Sequence, residues 1–121
     1  GGGAAPAHVA ESQPEDLRQH AKALREVLMH VWGVLTLPLD KQDKARLGTF
    51  YALLGRTRKI LVDYELQVKA KRELKQMSKG EANLRKRHVS ALMEIADAPV
   101  KWEARQKEEA ERGGPWGGVS P

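Results

Sequence analysis

The chain contains no cysteine, which excludes disulfides, thiolate metal sites and cysteine nucleophiles. Aromatic residues make up 5% of its 121 positions, one Phe, two Tyr and three Trp, so a core has to be assembled from Leu, Val, Ile and Ala. That is a helical palette. Long apolar runs are missing as well. None approaches the roughly 20 residues that cross a bilayer, and residues 1–11 have neither the basic opening nor the continuous apolar stretch of a secretory signal. The expectation is a cytoplasmic protein with no membrane partner. With 40% apolar and 31% charged residues, the chain is too apolar for full disorder and has the size of one domain.

Reactive constellations are equally sparse. His8, His20, His30 and His88 are scattered without a close pair or an HExxH spacing, so no metal ligand set is assigned. Of these, His88 reads as a side chain at a core edge or an interface. There is no phosphate-cradling glycine loop, no dinucleotide fingerprint and no nucleophile elbow; Gly48 and Gly55 fall inside a helical pattern, not between a strand and a helix. Carboxylates such as Glu103 and Glu108 stand four residues before Lys107 and Arg112, the ordinary spacing of exposed helix pairs. No catalytic residue and no cofactor is assigned, and the chain reads as nonenzymatic.

What is present is helical periodicity. Residues 1–11 and 113–121, rich in Gly and Pro, read as mobile tails around one all-α domain at 12–112. Ser12 and Glu15 form a capping-box pattern with Pro14 in the first turn, and Leu17, Ala21, Leu24, Leu28, Val31 and Leu35 then recur four and three apart. This predicts a helix over about 13–36, ended by Pro38. Asp40 is the expected cap of a second helix over about 41–77, with a seam of Leu47, Phe50, Leu54, Thr57, Leu61, Tyr64 and Val68. Such a helix would be about 55 Å long, too long for so small a chain to wrap along its full length. Ser78 to Gly80 marks the next break, where Gly80 can supply a left-handed C-terminal cap and Ser78 with Glu81 can equally form a new capping box. A third helix over about 80–98 carries Leu84, His88, Ala91, Leu92 and Ile95, and Asp97 with Pro99 suggests a fourth over about 99–112, anchored by Trp102.

Charge is unevenly spread. Thirteen basic residues lie between Lys44 and His88 against Asp63, Glu65, Glu73 and Glu81, while the whole chain carries +5. If the second and third helices fold back on each other, Lys69, Lys71, Arg72, Lys75, Lys79, Arg85, Lys86 and Arg87 collect at the far end of the hairpin. Arg56, Arg58 and Lys59 extend the basic surface along the rod. Phosphates are one natural counter-charge for such a cluster; a solvated hairpin end or an acidic protein partner are the alternatives. Aromatic residues are absent from the end, which favours duplex backbone contact over base stacking, with DNA preferred and RNA open.

A second feature is a run of small residues, Ala45, Gly48, Ala52 and Gly55, three and four apart. Each glycine costs up to about 1 kcal/mol against alanine in a helix interior. Either the first helix packs on this stripe or a second copy does. With Leu54 and Leu61, the stripe is the candidate surface for homo-oligomer formation.

The stretch Leu37–Leu74, with its aspartate-capped long helix of mixed apolar and basic residues, resembles the central helical region of bacteriophage terminase small subunits. That resemblance implies rings of helical hairpins that bind viral DNA and hand it to a larger motor subunit. Members usually add an N-terminal helix-turn-helix; here residues 1–36 offer a tail and one helix instead. A helical adaptor or assembly module that joins protein partners without nucleic acid is the competing reading.

Overall fold

Three helices and one short 3-10 turn make up the described residues, 13–112, of the computed structural model. They are α1 (Glu15–Leu35), α2 (Lys44–Glu73) and α3 (Lys79–Glu111), with the 3-10 turn at Leu39–Lys41, and the fold is all-α. Ser12 and both terminal segments lie outside the described residues.

α1 buries Leu17, Ala21, Leu24, Leu28, Val31 and Leu35, the alternation of four and three read from the sequence, together with Val34. Its N-cap is Pro14, and no side chain caps it. Glu15 is therefore the first helical residue and not the third position of a capping box. The Pro14 carbonyl accepts from the Leu17 and Arg18 amides at 3.0 and 3.1 Å, and Glu15 and Asp16 place negative charge where the helix dipole favours it. At the other end the Gln42 side-chain amide donates to the Leu35 and Leu37 carbonyls at 3.3 and 2.8 Å, satisfying acceptors that the helix leaves open.

α2 begins later than expected. Asp40 sits in the 3-10 turn, and Asp43 is the cap, its carboxylate accepting from the Arg46 amide at 3.0 Å. The buried seam is Leu47, Leu54, Thr57, Leu61, Tyr64 and Val68, with Phe50 half-buried beside it. α2 also ends earlier than residue 77. Lys75 turns into the left-handed region at φ 59°, its amide bonds to the Arg72 carbonyl, and the Gln76 amide bonds to the Lys71 carbonyl. This pair of bonds is a Schellman termination, executed here by a lysine where glycine is usual. Gly80, the expected terminator, lies inside α3.

α3 starts as the sequence suggests, with the Ser78 hydroxyl accepting from the Glu81 amide at 3.1 Å. It then runs unbroken through Pro99, so the two helices expected at 80–98 and 99–112 are one. A proline here removes one ladder bond and crowds the preceding turn. Contacts on both sides hold the helix together across it: Asp97, the expected cap, pairs with Arg58 at 2.9 Å, Trp102 meets Trp32 edge to face at 5.9 Å between ring centroids, and Glu103 accepts from the Tyr51 hydroxyl. The buried face is Ala82, His88, Val89, Leu92, Ala96 and Pro99. Ala91 is exposed and Ile95 is 46% exposed, because α3 packs on two helices at once and its inner face is turned from the one-sided seam that periodicity suggests.

The topology is up, down, up. Tyr64 meets Asp16 and Phe50 stacks on His30 across the antiparallel α1–α2 pair, while Arg85 meets Asp16 and Trp102 meets Trp32 across the parallel α1–α3 pair. At about 1.5 Å per residue, α2 continues roughly 14 Å past Tyr64, the residue level with the start of α1. The hairpin of α2 and α3 therefore projects beyond α1. Every residue from Lys69 to Gln76 is exposed.

Candidate nucleic-acid interface

The projecting end is where the basic residues gather. Residues 69–87 hold Lys69, Lys71, Arg72, Lys75, Lys79, Arg85, Lys86 and Arg87 against Glu73 and Glu81, in a chain whose total charge is +5. The seam explains the location. Beyond Val68 the next two seam positions are Lys71 and Lys75, which contribute nothing to a core and reach into solvent instead. Ser78 capping and the Lys75 termination then reverse the chain within five residues, 74–78, and bring the two basic stretches together.

One member of the cluster is committed elsewhere. Arg85 is only 16% exposed at its side chain; it pairs with Glu81 at 2.6 Å and lies 3.6 Å from Asp16. The Tyr64 hydroxyl also donates to Asp16, at 3.2 Å. Burial and the Asp16 carboxylate together push the Tyr64 phenol above its ordinary value. These four side chains fasten the start of α1 to the hairpin, so Arg85 is a clamp within the molecule and not part of an open cationic surface. The other seven, Lys69, Lys71, Arg72, Lys75, Lys79, Lys86 and Arg87, are exposed and make no ion pair among the described residues. A shallow groove lined by Lys86, Arg87, Ser90, Ala91 and Glu94 leads from them along the outside of α3.

Arg56, Arg58 and Lys59 do not join them. Arg58 lies thirteen residues before Lys71, roughly 20 Å along the helix. It is tied to Asp97, and Lys59 to Asp63 at 3.3 Å. Arg56 is exposed without an ion pair among the described residues, alone on the rod. Spacing cannot reveal the Arg58–Asp97 or Arg85–Asp16 pairs, because they join positions 39 and 69 residues apart; of the two i,i+4 pairs that spacing suggests, Glu108–Arg112 forms, whereas Glu103 turns to the Tyr51 hydroxyl.

The proposed interface stripe separates into two groups. Leu54 and Leu61 are 4% and 0% exposed and belong to the chain's own core, so they offer no surface to a second copy. Ala45, Gly48, Ala52 and Gly55 are exposed, and a Cβ added at Gly48 or Gly55 would meet nothing within 4 Å. At 100° per residue they sit opposite the buried seam of α2. Packing of α1 on this stripe is thereby excluded.

No helix is long and apolar enough to cross a membrane, and no group of three or more potential metal ligands occurs among the described residues. The molecule falls in the class of three-helix bundles with a cationic, projecting hairpin. Comparisons with protein-family models, curated proteins and solved structures give no match.

Proposed function

We propose that the protein binds nucleic acid through the projecting end of the α2–α3 hairpin, gripping backbone phosphates without reading bases and without performing chemistry on them. The observation that carries this is the set of seven exposed basic side chains within residues 69–87, none of which has an internal counter-charge among the described residues. Holding them together costs free energy through mutual repulsion, and phosphates would relieve it while releasing counterions. Duplex DNA is the favoured form, since no aromatic side chain in this segment offers a base a platform.

The test is a binding titration against a short duplex at several salt concentrations. With about five or six phosphates engaged, log K should fall against log salt with a slope near −5. Charge reversal at Lys71, Arg72, Lys86 and Arg87 should flatten that slope and weaken binding by at least tenfold at low salt. A slope near zero, or affinity indifferent to these changes, overturns the proposal.

Self-association belongs to the same reading. The small-residue face of α2 is open, and Leu66, eighteen residues after Gly48 and so on the same side of the helix, is 58% exposed. Light scattering of the wild-type chain and of Gly48→Leu with Gly55→Leu tests it: a second copy on this face gives a mass above the monomer that the substitutions abolish. The narrower reading, a DNA-packaging subunit like the terminase small subunits, rests on the resemblance of Leu37–Leu74 and requires a ring. A monomer in that measurement removes it.

A further inference from the structure

One titratable side chain inside the bundle has no part in the basic end. His88 lies on the buried face of α3 and is 3% exposed. Its Nε2 is sealed from solvent and has no hydrogen-bond partner among the described residues. Leaving a ring nitrogen unpaired in this way weakens the fold, and an apolar side chain of similar size would avoid that cost. The position is therefore expensive in its neutral form and more so when charged.

The surroundings are unfavourable to a second proton. From α3 itself, Arg87 is adjacent and Arg85 stands one turn before. The Asp16–Arg85 and Trp32–Trp102 contacts set the register of α1, which brings Asp16, Arg18, His20 and Lys22 level with this part of α3. The Arg58–Asp97 and Tyr51–Glu103 contacts set the register of α2, which brings Tyr64, Glu65 and Lys69 near the same height; Glu65 makes no ion pair among the described residues. Asp16 is already shared by Arg85 and the Tyr64 hydroxyl, and Glu81 is taken by Arg85. Burial first, and the Arg87 guanidinium second, hold the imidazole below the ordinary histidine value, with no carboxylate acting against them.

We infer that His88 is an acid-sensitive latch between α1 and the α2–α3 hairpin: a second ring proton places positive charge in a sealed seam where Asp16 and Glu81 are already engaged and no carboxylate meets the ring nitrogen, and α1 loosens from the hairpin. The sign follows from linkage. The unfolded chain takes up the proton first, so the latch contributes fully above about pH 6.5 and is lost as pH falls from there through the folded value. Over that interval the folding constant drops by at most about tenfold per pH unit, the limit for one proton.

The experiment follows the histidine ring resonances by NMR between about pH 8 and about pH 5, beside thermal melts of the wild-type chain, His88→Leu and His88→Gln over the same range. His88 should titrate below about 6.5, the wild-type melting midpoint should fall on acidification by more than that of either variant, and amides of Leu17–Leu28 should exchange faster in the wild-type chain at the acid end. Titration of His88 at or above the ordinary value, or an equal acid-induced fall in both variants, overturns the inference. Should His88→Leu not fold, the wild-type titration and His88→Gln still decide it.

Discussion

Lysine at the end of α2 and arginine at the start of α3 are the same kind of residue on paper and do opposite things. Lys75 holds a left-handed conformation, which costs a side-chain-bearing residue roughly 1–2 kcal/mol. Lys75→Gly should therefore raise stability by up to about 1 kcal/mol in a denaturant melt, after the greater freedom of glycine in the unfolded chain is subtracted. Arg85 spends its charge on Asp16 and Glu81, both about half exposed. Its replacement by alanine should cost about 1 kcal/mol, since solvent weakens the pairs but the packed stem is lost too. Lys71→Ala, in open solvent, should stay within about 0.5 kcal/mol of wild type. That contrast, read from melts of the three variants, separates the clamp from the free cations. Composition foretold the charge cluster; it could not say that one of eight members faces inward, because the partner Asp16 is 69 residues away.

Among the elements, the long helix was the most legible and its ends the least. The seam from Leu47 to Val68 follows from spacing alone, whereas both caps moved, from Asp40 to Asp43 and from Gly80 to Lys75. Several residues at each end could satisfy the same orphan amides and carbonyls, and tertiary contacts chose among them. Pro99 shows the same competition won by packing: a local rule that ends helices yields to the Asp97, Trp102 and Glu103 contacts around it. The exposed glycines of α2 remain a local weakness with no intrachain use. Gly48→Ala and Gly55→Ala should each stabilise the monomer by up to about 1 kcal/mol, because the added methyl meets nothing and the helix gains propensity. Thermal melts at low protein concentration, where a second copy contributes least, are the measurement.

For the whole molecule, the decisive feature is a mismatch of lengths. α1 has 21 residues against 30 in α2 and 33 in α3, so the bundle is three helices thick over most of its length and two at the basic end. The end has little core to hold it and much like charge to drive it apart. Raising salt from about 50 mM to about 300 mM should therefore raise the melting midpoint of the free protein by a few degrees, as screening relieves the repulsion. The effect should be smaller after Lys71→Glu with Lys75→Glu, and calorimetry at the two salt concentrations checks it. The candidate interface was half legible. Residues 69–87 are foreseeable because the apolar seam stops at Val68, but Arg58 and Lys59 do not belong with them, since only the folded chain supplies Asp97 and shows how far they lie from the end.

Periodicity and charge along the chain determined the all-α class, the residues that α1 and α2 bury, the reversal near Ser78 and the concentration of cations beside it. These are short-range properties, fixed by neighbours within a turn or two of helix. Tertiary structure alone decided that α3 continues through Pro99, that Leu54 and Leu61 are core while Gly48 and Gly55 face outward, and that His88 is sealed without a partner. Each of those depends on which helix faces which, and a helix with apolar residues on more than one side does not specify its neighbours until it packs against them.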